Sequence, residues 1–476
     1  MLPSSPSQRC YDRFSVLDSV QEEGLVPVFA LLKEILKRDI LEANQLTDAL
    51  DTISNSLRGT SGVAGDYGML QTCVQEHPDF FTRTWPAICR AALQMPELFP
   101  EGGIRALDRT NTRHRLSRRQ CACLIAHQFL CSLPPPPWRD GFYDFSVWYA
   151  SSQRHPIAVK IYLSALFTYF DRLQEELEET SWKERRCQDG ILGCVEYSLH
   201  SLSSSETCMP ETWSAISLAP LRVEVVERFN TEYQECRWQE GAVVVSANKD
   251  IGFGQSATQE EVFMGNSPEA CVAVLITPTL ADDQVLVVRG AAPVFRISGC
   301  RRNLTASVIK GETDQEIHVD RRGGGMMLLM DALELDATSG SSSNAIGDVT
   351  DGILPDLRRG NVDREVRKAY TAFSAWGDKE YQQTVWSGLW GCGAFDGDPG
   401  IKTIVLWIAA SLAGKKLCLV CDGSHDGFSQ QLNCLIASSA SWTVADLKKR
   451  IDNIPRTVGR MDTMRWLVQP VERLPD

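Results

Sequence analysis

Histidine is scarce in this 476-residue chain: there are seven. They are scattered, and no H-E-x-x-H pair is among them, which excludes the helix-borne zinc site of many hydrolases. G-x-x-x-x-G-K-[ST], which cradles a nucleoside triphosphate, is missing too, as is G-x-S-x-G, the elbow of serine hydrolases. Long hydrophobic runs are lacking. The longest, Ile404 to Ala413, is flanked by Lys402 and Lys415 and falls short of the roughly 20 residues a bilayer span needs, so no membrane association is expected. Positive charge is in deficit: 48 Lys+Arg against 61 Asp+Glu leaves a formal charge of −13. A polyanion is therefore repelled by the protein as a whole, and direct nucleic-acid binding is not expected. Attraction would have to come from local groups: Arg113, Arg115, Arg118 and Arg119, or the pairs Arg301 and Arg302, Arg321 and Arg322, Arg358 and Arg359. Each is ordinarily a solvated face.

Cysteine, by contrast, is plentiful at 16. The residues Met1 to Ser7 show no charged start followed by an apolar run, so no signal peptide is expected and the thiols should stay reduced, in nucleus or cytoplasm. Cys418 and Cys421 form an isolated C-x-x-C. Without two further ligands at a suitable spacing it reads as a buried strand, and no metal is expected.

With 43% hydrophobic residues over 476 positions, the chain can bury more than one core. From about Val26 to His200 the apolar residues recur at helical spacing, as in Phe29 to Leu36 and Val159 to Leu163. Pro134 to Pro137 interrupts them with a stiff extended loop, and Ser201 to Ser205 marks a transition. Beyond Pro220 the pattern changes to short apolar or β-branched runs, namely Leu221 to Val226, Ala242 to Val245, Val285 to Val288, Met326 to Met330 and Leu417 to Val420, which read as buried strands. Helical stretches lie between them. One is Ile401 to Ala413, and another opens on Thr443 and Asp446 in capping-box spacing. The expectation is an α/β sandwich with an N-terminal helical accessory region over residues 1–205 and the α/β domain over 206–476. Ser339 to Ser343 reads as a flexible surface insertion.

Two loops carry the chemistry. In the first, Asn248 precedes Gly252-Phe253-Gly254, and Gln259-Glu260-Glu261 follows. In the second, Gly391-Cys392-Gly393-Ala394-Phe395 comes directly before a helical apolar pattern. Glycines at 252, 254, 391 and 393 let main-chain N–H groups approach a diphosphate without metal, lysine or cofactor. Carboxylates beside such a loop fit hydrolysis of a phosphorylated sugar, where cleaving a glycosidic bond needs an acid that protonates the leaving oxygen, and a partly buried carboxyl with a raised pKa can do this. Glu260 and Glu261 are the candidates, and on a helix they diverge by about 100°, so their roles must differ. The plainer explanations are a solvated helix start for the glutamates, turns or caps for the glycines, and an Asx turn for Asn248.

These motifs, in this order, resemble the poly(ADP-ribose) glycohydrolase family, with its Gly-Gly-Gly loop, Gln-Glu-Glu motif and later Trp-Gly-Cys-Gly-Ala-Phe loop. The resemblance looks close to full length, taking in Pro220 to Val223, Met330 to Leu333, Arg364 to Phe373, His127 to Cys131 and Leu163 to Phe170. It implies a macrodomain-like three-layer sandwich with a mixed sheet, behind an N-terminal helical extension. The implied substrate is poly(ADP-ribose), free or on poly(ADP-ribosyl)ated proteins, hydrolysed at ribose–ribose O-glycosidic bonds to ADP-ribose, mainly from the chain end, by a monomer. By the same resemblance Glu261 is the general acid, Glu260 holds ribose hydroxyls, Gln259 shapes the loop and Asn248 bonds the ribose beside the scissile bond.

The chain departs from the family pattern in several places. Phe253 stands where the family has the middle glycine, and only four residues separate the loop from Gln259. Cys300 stands where the family places an adenine-stacking tyrosine, and Asp422 where it places a later phenylalanine. Phe253, Phe295 or Phe395 would have to compensate. Such losses resemble a divergent branch, such as that of filamentous fungi. They also keep two other readings open: a module that binds ADP-ribose without cleaving it, and a hydrolase of mono-ADP-ribosyl groups. Gly323-Gly324-Gly325 has no Gln-Glu-Glu behind it and reads as a turn.

Overall fold

A computed structural model describes residues 1–17, 25–58, 64–139, 141–178, 193–202, 213–226, 241–299, 301–308, 325–335, 353–376 and 384–469. Cys300, Arg321, Arg322, Gly323, Gly324, the Ser339 to Ser343 insertion and the boundary at 205 lie outside the described residues.

Five strands run parallel, in the order Met326–Asp331, Gly241–Ala247, Thr384–Ser387, Lys416–Asp422, Leu221–Val226. Gln284–Arg289 joins antiparallel beside Met326–Asp331. Cys194–Ser201 and the edge strand Arg113–Ser117 complete one mixed sheet of eight strands. The inner strands are apolar on both faces, as in Gly241–Ala247, where Ala242 to Val245 are all buried. That is the pattern of a sheet covered on each side, and it is why period-2 alternation is absent from their sequence. Because the five strands are parallel, their C-terminal ends share one edge, which continues into Asn248, Ala332 to Leu335, Gly388 to Asp398 and Gly423 to His425. Ligands of open α/β sheets bind at this kind of edge.

The chain packs as two compact units whose boundary does not fall at one point in sequence. The first combines Met1–Tyr197 with Asp250–Thr279 and Gly290–Arg322; the second combines Ser198–Lys249, Leu280–Arg289 and Gly323–Asp476. In the first, helices Val28–Leu36, Ala43–Arg58, Trp85–Leu93, Arg118–Phe129 and Pro156–Glu178 enclose Leu31, Ile35, Ile53, Ile88, Leu124 and Phe129, all fully buried. The region read as helical is not entirely so. Arg113–Ser117 and Cys194–Ser201 are strands, and Arg113 and Arg115 share the Glu196 carboxylate across that pair. A long-range partner decides these two segments, which no local period could show.

In the second unit, helices Asn361–Phe373, Pro399–Leu412, Asp426–Ser438 and Val444–Asp452 pack over Ala242, Val244, Leu328, Met330, Leu417 and Leu419. The Pro399 helix starts where its sequence dictates. Asp398 caps it by accepting the Ile401 N–H at 2.9 Å, with Pro399 in the first turn, where a missing N–H costs nothing. The Thr443 and Asp446 capping box forms as expected. Cys418 and Cys421 are both buried in one strand. No described helix is long and apolar enough to cross a membrane.

Candidate active-site loops

The Gln-Glu-Glu motif opens a short helix, Gln259–Asn266, in the first unit. Thr258 is its N-cap. The Thr258 hydroxyl accepts the Glu261 N–H at 3.3 Å, and Glu261 Oε2 accepts the Thr258 N–H at 3.1 Å. This reciprocal pair satisfies two helix-end donors and fixes the Glu261 side chain back over the preceding loop. There the Glu261 Oε1 atom lies against Gly254, so closely that a Cβ on Gly254 would stand 2.3 Å from it. One oxygen is thus anchored and the other sits at the loop. Burial pushes the Glu261 carboxyl above its ordinary value, while the N–H groups of Thr258, Ser256 and Ala257 pull the other way without winning. A half-buried carboxyl of raised pKa is what a general acid requires.

Glu260 turns elsewhere. It is 6% exposed, and its Oε1 accepts the Gly252 N–H at 2.8 Å. The Gly252 amide expected to face a phosphate is therefore committed to Glu260. The Arg139 guanidinium lies on Gly252, 2.3 Å from where a Cβ would be, so a side chain there would displace the end of that flexible arm. Arg139 donates to the Ile251 carbonyl, and the charges of Glu260 and Asp250 oppose the downward pull of burial on its guanidinium.

Phe253, expected to contact the ligand, points inward. It is 5% exposed, with its ring centre 5.2 Å from those of both Phe145 and Trp148. Trp148 also donates its indole N–H to the Gly254 carbonyl at 2.8 Å. A ring held this way anchors the loop and has no face left for a base. Phe295, the second proposed substitute, is buried as well. Arg139, Trp148 and Tyr162 escaped the sequence reading. Tyr162 packs against Gly265, where a Cβ would meet its ring at 2.4 Å, and it feels the charge of Glu261. All three lie more than 95 residues upstream of what they touch, and only the proline-rich stretch before Arg139 hinted at a special loop.

Asn248 and the second glycine loop belong to the other unit. The Asn248 amide reaches Glu334 Oε1 at 3.5 Å. The loop from Gly388 to Asp398 is closed by the Gly397 N–H on the Gly391 carbonyl, 2.9 Å, with Gly391 at φ 74°. Its crest, Gly393 and Ala394, is exposed, and Phe395 is half-buried. The N–H groups of Gly393, Ala394 and Phe395 meet no acceptor among the described residues. Three successive amides without an acceptor are the kind of donors that an anion can use. Burial pushes the Cys392 thiol far up, which disfavours its thiolate. Asp422, at a neighbouring strand end, accepts from Ser424 N–H at 2.9 Å and pairs with His425 Nδ1 at 2.8 Å.

Beneath this loop lies a buried ionic cluster. Lys402 Nζ is 2.8 Å from Glu365 Oε2 and 3.7 Å from Asp356 Oδ1, and Asp356 Oδ2 accepts the Asp398 N–H at 3.1 Å. Lys368, fully buried, bonds Asp331 and the carbonyls of Ala281 and Gln284. Burial pushes Asp356 from 3.8 up to about 6, against the pull of Lys402. Since its folded pKa lies above the unfolded one, its contribution to stability is complete below 3.8 and is lost as pH rises through about 6. Asp356→Asn keeps an acceptor for the Asp398 N–H without the charge. Calorimetry at about pH 5 and about pH 8 should show the variant gaining on the wild type at the higher pH, by at most about 3 kcal/mol. A difference independent of pH would show that Asp356 does not titrate in this range.

Two family models match the chain and together cover well over half of it. One is described as "Poly (ADP-ribose) glycohydrolase (PARG), Macro domain fold" and matches residues 211–427; the other, "Poly (ADP-ribose) glycohydrolase (PARG), helical domain", matches residues 74–189. Among curated proteins, poly(ADP-ribose) glycohydrolase 1 of Caenorhabditis elegans is 25% identical over 334 residues, covering 69% of this chain and 38% of the relative. Poly(ADP-ribose) glycohydrolase 2 of the same organism is 26% identical over 306 residues, 63% of this chain and 56% of the relative. A probable poly(ADP-ribose) glycohydrolase 2 of Arabidopsis thaliana is 23% identical, 83% of this chain and 81% of the relative. The chain thus spans about two fifths and just over half of the two nematode proteins. A solved Deinococcus radiodurans poly(ADP-ribose) glycohydrolase in complex with ADP-ribose is 14% identical over 50% of this chain and 94% of its own, at a TM-score of 0.30.

Proposed function

Because the chain belongs to the poly(ADP-ribose) glycohydrolase family, we propose that it hydrolyses the ribose–ribose O-glycosidic bonds of poly(ADP-ribose) and releases ADP-ribose, mainly from the chain end. The observation that carries this reading is the Glu261 carboxyl, raised by burial and held by a capping box against Gly254. In the proposed reaction Glu261 gives its proton to the leaving ribose oxygen as the glycosidic bond breaks. The carboxylate left behind takes a proton from the water that attacks the anomeric carbon, so the acid is restored and one water is consumed. Glu260 and Asn248 are assigned to ribose hydroxyls, with Gln259 and Phe253 shaping the first loop together with Gly252 and Gly254. The N–H groups of Gly393, Ala394 and Phe395 are assigned to the pyrophosphate, in the loop that Gly391 and Cys392 begin. No cofactor enters the chemistry.

Labelled poly(ADP-ribose) incubated with the purified chain should yield ADP-ribose from the first time points, with few intermediate oligomers. Early oligomers would instead indicate internal cleavage. Tight ADP-ribose binding with intact polymer would replace the hydrolase by a binding module. The nucleus and the cytoplasm, where thiols stay reduced, are the compartments that fit this substrate and the described cysteines, all of them free.

A further inference from the structure

We propose that Lys402 is a positioning residue of the second glycine loop: its buried ammonium, held by Glu365 and Asp356, templates the conformation in which Gly393, Ala394 and Phe395 turn their N–H groups outward. The proposal rests on reading that loop as the pyrophosphate cradle.

Lys402 lies on the helix Pro399–Leu412 and is 1% exposed. Both feet of the loop stand on its side chain. A Cβ on Gly391 would come within 3.3 Å of Lys402 Cε and 3.4 Å of Nζ, and one on Gly397 within 2.5 Å of Cε. These two glycines are bonded to each other, Gly397 N–H to Gly391 carbonyl, so the contact with Lys402 lies where the loop closes. Trp390, next to Gly391, sets its ring 5.3 Å from the ammonium and donates its indole N–H to the Met330 carbonyl at 3.0 Å. The ion partners of Lys402 hold the remaining sides. Asp356 takes the Asp398 N–H at the far end of the loop. Glu365 takes the Leu333 N–H at 2.8 Å, in the segment whose Leu335 N–H bonds the Phe395 carbonyl at 3.0 Å. One cluster therefore touches the start, the end and the flank of the loop.

Stability gives little reason for a charge here. Burying an ammonium and two carboxylates costs several kcal/mol, and apolar side chains of the same volume commonly serve a core as well or better. The neighbours Ile401, Ile404 and Val405 are apolar and buried, and Asp356 Oδ1 has no hydrogen-bond partner among the described residues. What an ammonium offers, and a methyl group does not, is a fixed point that orients several acceptors at once.

The test uses the full chain. In Lys402→Met, calorimetry with ADP-ribose and steady-state hydrolysis of the polymer should show Kd and KM raised about tenfold or more, the loss expected when a preorganised site must be ordered on binding. Because the acid is on another loop, kcat should stay within about threefold. Glu365→Gln, which keeps an acceptor for the Leu333 N–H but removes the charge that holds the Lys402 ammonium, should give the same split. Unchanged ADP-ribose affinity in either folded variant, or a fall in kcat at constant KM, overturns the proposal. If Lys402→Met does not fold, Glu365→Gln decides. If the wild type neither binds ADP-ribose nor cleaves the polymer, the functional reading fails by itself. Hydrogen exchange at the Cys392, Asp396 and Gly397 amides, which are bonded within the loop, should be slow in the wild type and fast in the variants; it then still tests the hold of Lys402 on the loop, and equal exchange overturns it.

Discussion

Glu261→Gln should stop polymer hydrolysis, with kcat falling by roughly 10²–10⁴, the range a positioned general acid contributes, while the protein stays folded and still binds ADP-ribose. The prediction separates two tasks that one side chain performs. As the third residue of its helix, Glu261 accepts the Thr258 N–H through Oε2. Glutamine can accept that bond as well, since either residue completes a capping box. What glutamine lacks is a proton acidic enough to give to the leaving oxygen. The sign of the stability effect follows from the raised carboxyl. Its contribution is fully present below the ordinary glutamate value and is lost as pH rises through the higher folded value, so above that range the buried charge is a burden the variant sheds. Calorimetry at neutral pH should therefore find the variant no less stable than the wild type. Turnover within tenfold of wild type in a folded Glu261→Gln protein would remove Glu261 from the mechanism and leave the proton to another group.

Gly254→Ala should lower kcat by about 10², the penalty that a displacement of about 1 Å can impose on a reacting group, with KM changed far less. The methyl group would stand 2.3 Å from Glu261 Oε1 and 3.2 Å from its Cδ. These atoms are the end of a flexible side chain, so the fold can yield at small cost. Gly254 has no positive φ, so alanine brings no backbone strain. The atom that must move is the one assigned to deliver the proton, which is why an innocuous substitution becomes a catalytic one. Kinetics on labelled polymer, with Tm measured alongside, would distinguish this from unfolding. Full activity in Gly254→Ala would mean that the carboxyl adopts a different position when substrate is bound.

Several elements could be read from residues alone because the forces that make them are local. Leu221–Val226 is a strand at the limits its apolar run suggested. The Asp398 and Thr443 helix starts follow from side chains that cap their own backbone. Glu260 and Glu261 were expected to differ because adjacent residues on a helix diverge, and one is indeed committed to Gly252 while the other lies against Gly254.

Other features come from partners distant in sequence, and there the residues mislead when read in order. Phe253 looked like a replacement for lost stacking surface, yet it fills a space between Phe145 and Trp148. The Gln-Glu-Glu helix lies between strands in sequence, yet it packs with the long helix Pro156–Glu178, through Tyr162 and Gly265. Sequence alone thus determined the apolar strands that begin near Leu221, Ala242, Val285, Met326 and Leu417, the caps and the order of the two loops, since hydrophobic period and capping chemistry act over a few residues. Only the tertiary structure decided which way Phe253 faces, that Arg139 covers Gly252, and that Lys402 lies beneath the second loop. Each of these depends on close packing between segments whose separation along the chain carries no local signal.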